Sequence, residues 1–189
     1  MSADASRLPV QPRRPVALFI TCLVDLMRPS VGFAAIKLLE DAGCEVDVPD
    51  LQTCCGQPAY NSGDRKSAQD LALLTMRTFK GANDIIAPSA SCAAMLKVHY
   101  PKLFADDPDL HAEANAFADR VHELVSYLID VCGQTAVLSR FDGRIAYHQS
   151  CSSLREMPGD ARPLLQTIEG ANLVEMKDRE ACCGFGGLF

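Results

Sequence analysis

The sequence of 189 residues lacks the features that mark several large functional classes. It has no tryptophan, only 6% of its residues are aromatic, and its formal net charge is -6. It therefore offers neither a basic surface to neutralise phosphates nor an aromatic platform for stacking bases. No apolar run approaches the roughly 18 residues of a membrane-spanning helix, because the best run, 16–23, leads directly to Asp25. We expect no nucleic-acid partner and no membrane span.

Cysteine, in contrast, is abundant. The chain has nine cysteines, an odd number and a high one for its length. Arg13 and Arg14 precede the apolar run 16–23, but the run is short and no small-residue cleavage site follows it, so a secretory signal is not indicated. Without export, thiols stay reduced and serve metal or redox chemistry. We therefore expect a cytoplasmic protein whose cysteines do one of the two.

Apolar runs and helical patterns alternate along the first part of the chain. Residues 1–15 are rich in proline and arginine and have no periodicity, which predicts a flexible leader. The patterns beyond them predict strands at 16–21, 45–48 and 84–87 and helices at 31–42 and 65–79. This alternation favours an α/β fold with a parallel sheet.

A long amphipathic helix is predicted further along the chain. Apolar side chains at Phe117, Val121, Leu124 and Leu128 fall on one helical face, and Gly133 follows the end of the pattern. We interpret this stripe as core packing and not as a binding surface.

The cysteine motifs form a repeat. The order strand, cysteine, helix, strand and Cys-Cys-Gly occurs twice, with about 30 residues between the single cysteine and the pair in each copy. The cysteines of the two copies are Cys22, Cys54 and Cys55, and Cys151, Cys182 and Cys183. The repeat predicts two Rossmann-like parallel-sheet units, the first over 16–133 and the second over 144–189.

The first copy has a further cysteine that the second copy lacks. Cys92 follows the third predicted strand, and the period of the repeat would place its counterpart near position 221, beyond Phe189. The sequence therefore predicts that the second unit is truncated at its C-terminus and that its site is incomplete in this polypeptide.

Thiolates at the ends of strands are suited to bind metal. They are soft ligands that select zinc, copper(I) or iron–sulfur clusters, and the loops at such junctions supply backbone N–H groups that stabilise negative charge. Cys54 and Cys55 are adjacent, so they can converge only through a bend, which Gly56 makes easier. An iron–sulfur cluster is wider than a single ion and relaxes this demand, so we favour a cluster.

Two alternatives remain open at this site. Four cysteines also satisfy structural zinc, although zinc sites usually present paired Cys-x-x-Cys knuckles that this sequence lacks. A disulfide switch at Cys54 and Cys55 would make the chain a thiol-disulfide redox protein, but a ring between neighbouring cysteines is strained and no thioredoxin-type motif is present.

The remaining candidate residues have weaker patterns. Cys44 and Cys132 fall outside the repeat, and we expect them only to pack. His148 precedes Cys151 by three positions, so it is either a ligand, a hydrogen-bond donor to sulfur, or a histidine satisfied by backbone. No serine nucleophile, paired-histidine or acid–base motif is present, and we predict no catalytic residue.

The two cysteine motifs resemble the duplicated cysteine-rich CCG domain that heterodisulfide reductase shares with the glycolate oxidase iron–sulfur subunit. The lactate utilization protein A family is the nearer resemblance, through the segments 19–25, 52–63 and 182–187. The resemblance extends from Val16 to the terminus. It implies a cytosolic electron-transfer subunit with a 4Fe–4S cluster, non-catalytic itself, which acts with two partner proteins in oxidising L-lactate to pyruvate.

This sequence departs from the heterodisulfide reductase pattern at one position of the first motif. That pattern ends in Cys-x-x-Cys, whereas Cys92 is followed by Ala93, Ala94 and Met95. The resemblance then implies a four-cysteine first site that holds a cubane cluster or zinc. The residues it implies are Cys22, Cys54, Cys55 and Cys92 for the first centre, with Cys151, Cys182 and Cys183 contributing to a second.

Overall fold

A four-stranded parallel sheet organises the first unit in the computed structural model, which describes residues 12–179 and 181. Its strand order is β2-β1-β3-β4, so the first strand of the chain lies between the second and the third. The strands are β1 (Arg14–Leu18), β2 (Cys44–Asp47), β3 (Ile85–Ala87) and β4 (Val121–Glu123). All three pairings are parallel, which requires a crossover connection between successive strands.

Helices supply these crossovers and continue into the second unit. The α-helices among the described residues are α1 (Cys22–Met27), α2 (Pro29–Asp41), α3 (Gln57–Asn61), α4 (Arg65–Thr78), α5 (Ala90–Ala94), α6 (Tyr100–Leu103), α7 (Pro108–Ala118), α8 (Leu124–Ser126), α9 (Cys151–Arg155) and α10 (Arg162–Leu165). A π-helical segment, Met95–His99, joins α5 to α6, and a second, Tyr127–Val131, extends α8.

The sheet has a buried core on each face. Alternate residues of β1 point to opposite faces, so Ala17 packs with Phe79 and Phe117 on one side, and Leu18 packs with Leu39 on the other. β3 is buried at all three of its positions. Burial on both faces is the expected state of a parallel sheet covered by helices.

The second unit contains a parallel pair of strands within the described residues. β5 (Arg140–Ala146) pairs with β6 (Glu169–Val174), with a register irregularity between Arg140 and Gly143. The helices α9 and α10 lie between these strands in sequence. Both sheets are parallel, which confirms the α/β class and its Rossmann-like description.

Most of the predicted elements lie where the sequence patterns indicated. The predicted helices at 31–42 and 65–79 correspond to α2 and α4, and the ends of the first three strands differ from prediction by at most three residues. β1 begins at Arg14, inside the segment that was predicted as a leader, because Arg14 pairs in register with Cys44. Residues 1–11 of that leader lie outside the described residues.

The predicted long helix over 117–129 is wrong. Helix α7 ends at Ala118, Val121–Glu123 forms β4, and a new helix begins at Leu124. Val121 pairs with Ile85, and the Ile85 N–H donates to the Arg120 carbonyl at 2.8 Å. A strand of three residues is too short to interrupt an i, i+3, i+4 apolar pattern, so only the pairing with β3 reveals it.

None of the helices in the described ranges combines the length and the apolarity needed to span a bilayer.

Candidate metal centre

Three loops at one edge of the sheet bring four predicted cysteines together. Cys22 follows β1 as the first residue of α1, Cys54 and Cys55 lie between β2 and α3, and Cys92 lies in α5 after β3. The strands β2, β1 and β3 are neighbours, so their carboxyl ends lie side by side. Ligands of open parallel sheets bind at this edge.

The start of α1 positions Cys22. The Thr21 side chain is buried and accepts a hydrogen bond from the Val24 N–H at 3.4 Å, which caps the helix directly before the cysteine. The Gln52 side chain then joins the end of β1 to the loop that carries Cys54. It accepts from the Ile20 N–H at 2.8 Å and donates to the Leu18 carbonyl at 3.0 Å.

Gly56 produces the bend that the adjacent cysteines require. Its φ of 87° is in the left-handed region, and its N–H donates to the Cys54 sulfur at 3.5 Å. A Cβ at this position would meet only ordinary contacts of 3.5 Å or more with the nearest side chain and backbone atoms, including Ala68. The backbone conformation, and not a lack of space, therefore requires glycine here.

Tyr100 holds the buried end of the site. Cys55 is 3% exposed, and its carbonyl accepts a hydrogen bond at 3.0 Å from the hydroxyl of Tyr100, which is fully buried. Burial raises the pKa of Tyr100, so the hydroxyl stays protonated and acts as a donor. Sequence reasoning missed both Tyr100 and Gln52. Gln52 lies in the segment 52–63 that carried the family resemblance, whereas Tyr100 gave no signal of its role.

The four sulfurs form a contiguous row. Hydrogen bonds join the side chain of Cys54 to those of Cys22 and Cys55, and the sulfurs of Cys55 and Cys92 are 3.5 Å apart. We call Cys22, Cys54, Cys55 and Cys92 the cysteine row. The structure thus brings together all four residues that the sequence assigned to the first centre.

Hydrogen bonds along the row favour thiolate at two of its members. Donation from Cys55, with help from the Gly56 N–H and Cys22, lowers the pKa of Cys54 to about 5. Donation from Cys55 also lowers the pKa of Cys92. The pKa of Cys55 itself is raised because its proton serves both neighbours, and burial raises the pKa of Cys22. Thiolate is the form that ligates metal.

The donor set of the row fits a thiolate-bound metal centre, although its sulfurs hydrogen-bond to one another. No group of three or more His, Cys, Asp or Glu side chains in the described residues is arranged so that it could hold a metal ion. A tetrahedral zinc with bonds of about 2.3 Å would separate its sulfurs by about 3.8 Å. The 3.5 Å between Cys55 and Cys92 is close to that value.

One side of the row is open to solvent. A groove of about 320 Å³ lies beside Cys22 and Cys54, and the acidic side chains of Asp25 and Asp50 line it. Cys55, at the other side, packs within the core. The row therefore runs from an open groove into the protein interior.

The second copy repeats the geometry of the first at its single cysteine. Cys151 is the first residue of α9, and the Ser150 hydroxyl accepts from the Ser153 N–H at 3.2 Å, as Thr21 does before Cys22. Helix α9 contacts α5, which carries Cys92. Cys182 and Cys183 lie outside the described residues. The alternatives for His148 resolve toward backbone, since its Nε2 lies 2.7 Å from the Ala181 carbonyl oxygen.

Comparisons with known proteins agree with this arrangement. Residues 16–97 and 145–189 match the CCG family, described as a cysteine-rich domain. The chain is 46% identical over 176 residues to lactate utilization protein A of Geobacillus kaustophilus (strain HTA426), covering 92% of this chain and 73% of that protein. It is 45% identical to the protein of the same name from Geobacillus thermodenitrificans (strain NG80-2) and 42% identical to that from Bacillus cytotoxicus, with the same coverage of both chains.

Proposed function

We propose a function for this chain from the family to which it belongs, the lactate utilization protein A family with its cysteine-rich CCG domain. The chain acts in lactate utilization as an iron–sulfur electron-transfer subunit of a cytoplasmic complex that oxidises L-lactate to pyruvate. Two further proteins complete that complex, and this subunit carries electrons without itself reacting with lactate. The name of the relatives supports the process, and the cysteine row supports the chemistry.

The observation that carries the proposal is the meeting of four thiols at the carboxyl edge of one sheet. They come from three separate loops, and two of them are biased toward thiolate by hydrogen bonds. Packing alone does not favour this arrangement, since desolvation raises the pKa of a buried thiol. A metal centre does favour it, because a bound cation offsets the repulsion between neighbouring thiolates.

In this proposal Cys22, Cys54, Cys55 and Cys92 hold the first centre as a 4Fe–4S cluster. When bound, the cluster supplies one-electron transfer. The Tyr100 hydroxyl fixes the backbone of Cys55 at the buried end, and the Gln52 side chain fixes the loop before Cys54. The groove beside Cys22 and Cys54 leaves that end of the row accessible to an electron donor or acceptor.

Cys151, Cys182 and Cys183 contribute to a second centre in the same proposal. The matching local geometry at Cys22 and Cys151 supports this part, because each cysteine begins a short helix behind a hydroxyl cap.

Metal analysis of the chain purified without oxygen tests the proposal. We expect iron with a matching amount of acid-labile sulfide and a brown protein that loses colour on reduction. Cys54→Ala should strip the first centre, whereas Cys44→Ala should leave the metal content unchanged because Cys44 lies at the amino end of β2, away from the row. Far-ultraviolet circular dichroism of both variants checks that they fold. Equal loss of metal from the two variants would overturn the assignment.

Zinc is the second candidate for the first centre, and one distance favours it. The Cys55 and Cys92 sulfurs at 3.5 Å have nearly the spacing of ligands around a single tetrahedral ion. The chain would then be a zinc-stabilised assembly subunit of the same complex. Stoichiometric zinc without sulfide, in a colourless and redox-silent protein, would establish this alternative in place of the cluster.

A further inference from the structure

Two cysteines outside the repeat meet at the other end of the sheet. Cys44 is the first residue of β2, and Cys132 follows the π-helical segment after α8. They are 88 positions apart in sequence, and their sulfurs are 3.9 Å apart. The sequence indicated only that each would pack separately.

The two thiols differ in access. Cys44 is 1% exposed, whereas Cys132 is half-buried. Both line an open groove of about 400 Å³, together with Arg13, Arg14 and Glu40. A reagent entering this groove would reach Cys132 before Cys44.

Arg14 connects the two segments that carry these thiols. Its backbone N–H donates to the Gly43 carbonyl at 3.2 Å, and its guanidinium donates to the Val131 carbonyl, also at 3.2 Å. The residues beside both cysteines are therefore held by a single arginine. This contact keeps the two sulfurs near each other and places a positive charge at the groove.

We propose that Cys44 and Cys132 form a reversible disulfide by exchange with a low-molecular-weight disulfide that carries carboxylates, which enters the groove at Arg13 and Arg14.

The exchange proceeds in two balanced steps. The Cys132 thiolate attacks one sulfur of the small disulfide, which forms a mixed disulfide and releases one small thiolate. The Cys44 thiol then loses its proton and attacks the Cys132 sulfur, which forms the Cys44–Cys132 bond and releases the second small thiolate. The protein gives up two electrons, the small disulfide accepts them, and the two thiol protons end on the two small thiols.

The geometry suits this order of attack. A disulfide bond needs the sulfurs at about 2.05 Å, so the pair must close a gap of less than one atomic diameter. Burial and the neighbouring Cys132 raise the pKa of Cys44 to about 11, so Cys44 stays protonated while Cys132 reacts. The two arginines favour the negatively charged reagent over a neutral one.

The chain purified without oxygen, with its metal centre, is the material for the test. It is equilibrated with glutathione buffers of increasing ratio of oxidised to reduced form, quenched with iodoacetamide and digested without reductant. We expect mass spectrometry to detect a peptide pair linked through Cys44 and Cys132, which forms at ratios that leave the iron or zinc content unchanged. Absence of this pair at every ratio, or linkage of Cys132 to a member of the cysteine row, would overturn the proposal.

Matched variants test the order of attack. In Cys44→Ala, the mixed disulfide cannot resolve, so we expect Cys132 to retain one glutathione. In Cys132→Ala, the buried Cys44 should remain unmodified under the same buffers and react with iodoacetamide only after the chain is unfolded. Glutathione attached to Cys44 in the second variant would contradict the assignment of Cys132 as the entry thiol.

Discussion

The two copies of the cysteine repeat share their local structure and differ in their packing. In each copy a parallel strand leads to a hydroxyl-capped helix whose first residue is the single cysteine. The strands of the first copy lie in a four-stranded sheet, and β3 is buried throughout. In the described residues of the second copy, every position of β5 and β6 is exposed or half-buried.

This difference separates what places a cysteine from what buries it. Cap, strand and turn residues act over a few positions and produce the same helix start twice. Burial depends on elements distant in sequence, and the first copy packs its strands between α4 and α7 on one face and α2 on the other. We therefore expect substitutions at equivalent positions to have unequal effects in the two copies.

The largest expected effect is on metal binding. In a background in which Cys182 and Cys183 are replaced by alanine, Cys55→Ala should remove the remaining metal, because it deletes the central member of the cysteine row. Cys151→Ala in the same background should leave that metal in place. Metal content per chain is the measurement. Loss of metal from Cys151→Ala would break the comparison, since it would mean that both copies hold one shared centre.

The next largest effect is on stability. Ile86→Ala in β3 should lower the free energy of unfolding by about 2–5 kcal/mol, because it opens a cavity at a fully buried position. Ile145→Ala in β5 removes a half-buried side chain and should cost about 1 kcal/mol. Urea unfolding of both variants, followed by circular dichroism, provides the values. Equal costs would show that the second sheet is packed as tightly as the first.

The helix caps should separate by a smaller margin. Thr21→Ala should cost about 1–2 kcal/mol, because the Thr21 hydroxyl is buried and caps the helix of Cys22. Ser150→Ala should cost about 0.5–1 kcal/mol, because Ser150 is exposed. Thermal unfolding of each variant is the measurement, and Thr21→Ser, which retains the hydroxyl, should lie near the parent chain. A larger loss from Ser150→Ala than from Thr21→Ala would contradict this ranking.

The smallest expected effect concerns the contact between the copies. The His99 Nε2 in the first unit lies 3.0 Å from the Glu156 Oε1 at the end of α9. Glu156→Gln should reduce the free energy of unfolding by no more than about 1 kcal/mol, since both side chains are partly exposed. Asp41→Asn, which alters the exposed pair with Lys37, is the control and should be near zero. A loss of several kcal/mol from Glu156→Gln would show that the two units unfold together.

Much of the first unit could be predicted from the sequence. The helices at 31–42 and 65–79 and three of the four strands follow from periodicity and from glycine and proline positions. The four members of the cysteine row were assigned from spacing and resemblance, because parallel strands place their carboxyl ends at one edge. β4 was missed, since Val121 suits a helical stripe as well as a strand and only its pairing with Ile85 decides.

The sequence by itself determined the order of strands and helices, the duplication, and the cysteines that belong to each copy. These properties depend on neighbours within a few residues or on spacing along the chain. Only the tertiary structure decided that the sulfurs form a row with Cys55 buried, that Tyr100 holds its carbonyl, and that Cys44 meets Cys132. Such contacts join residues tens of positions apart, so they are set by strand order and helix packing, which local sequence patterns do not encode.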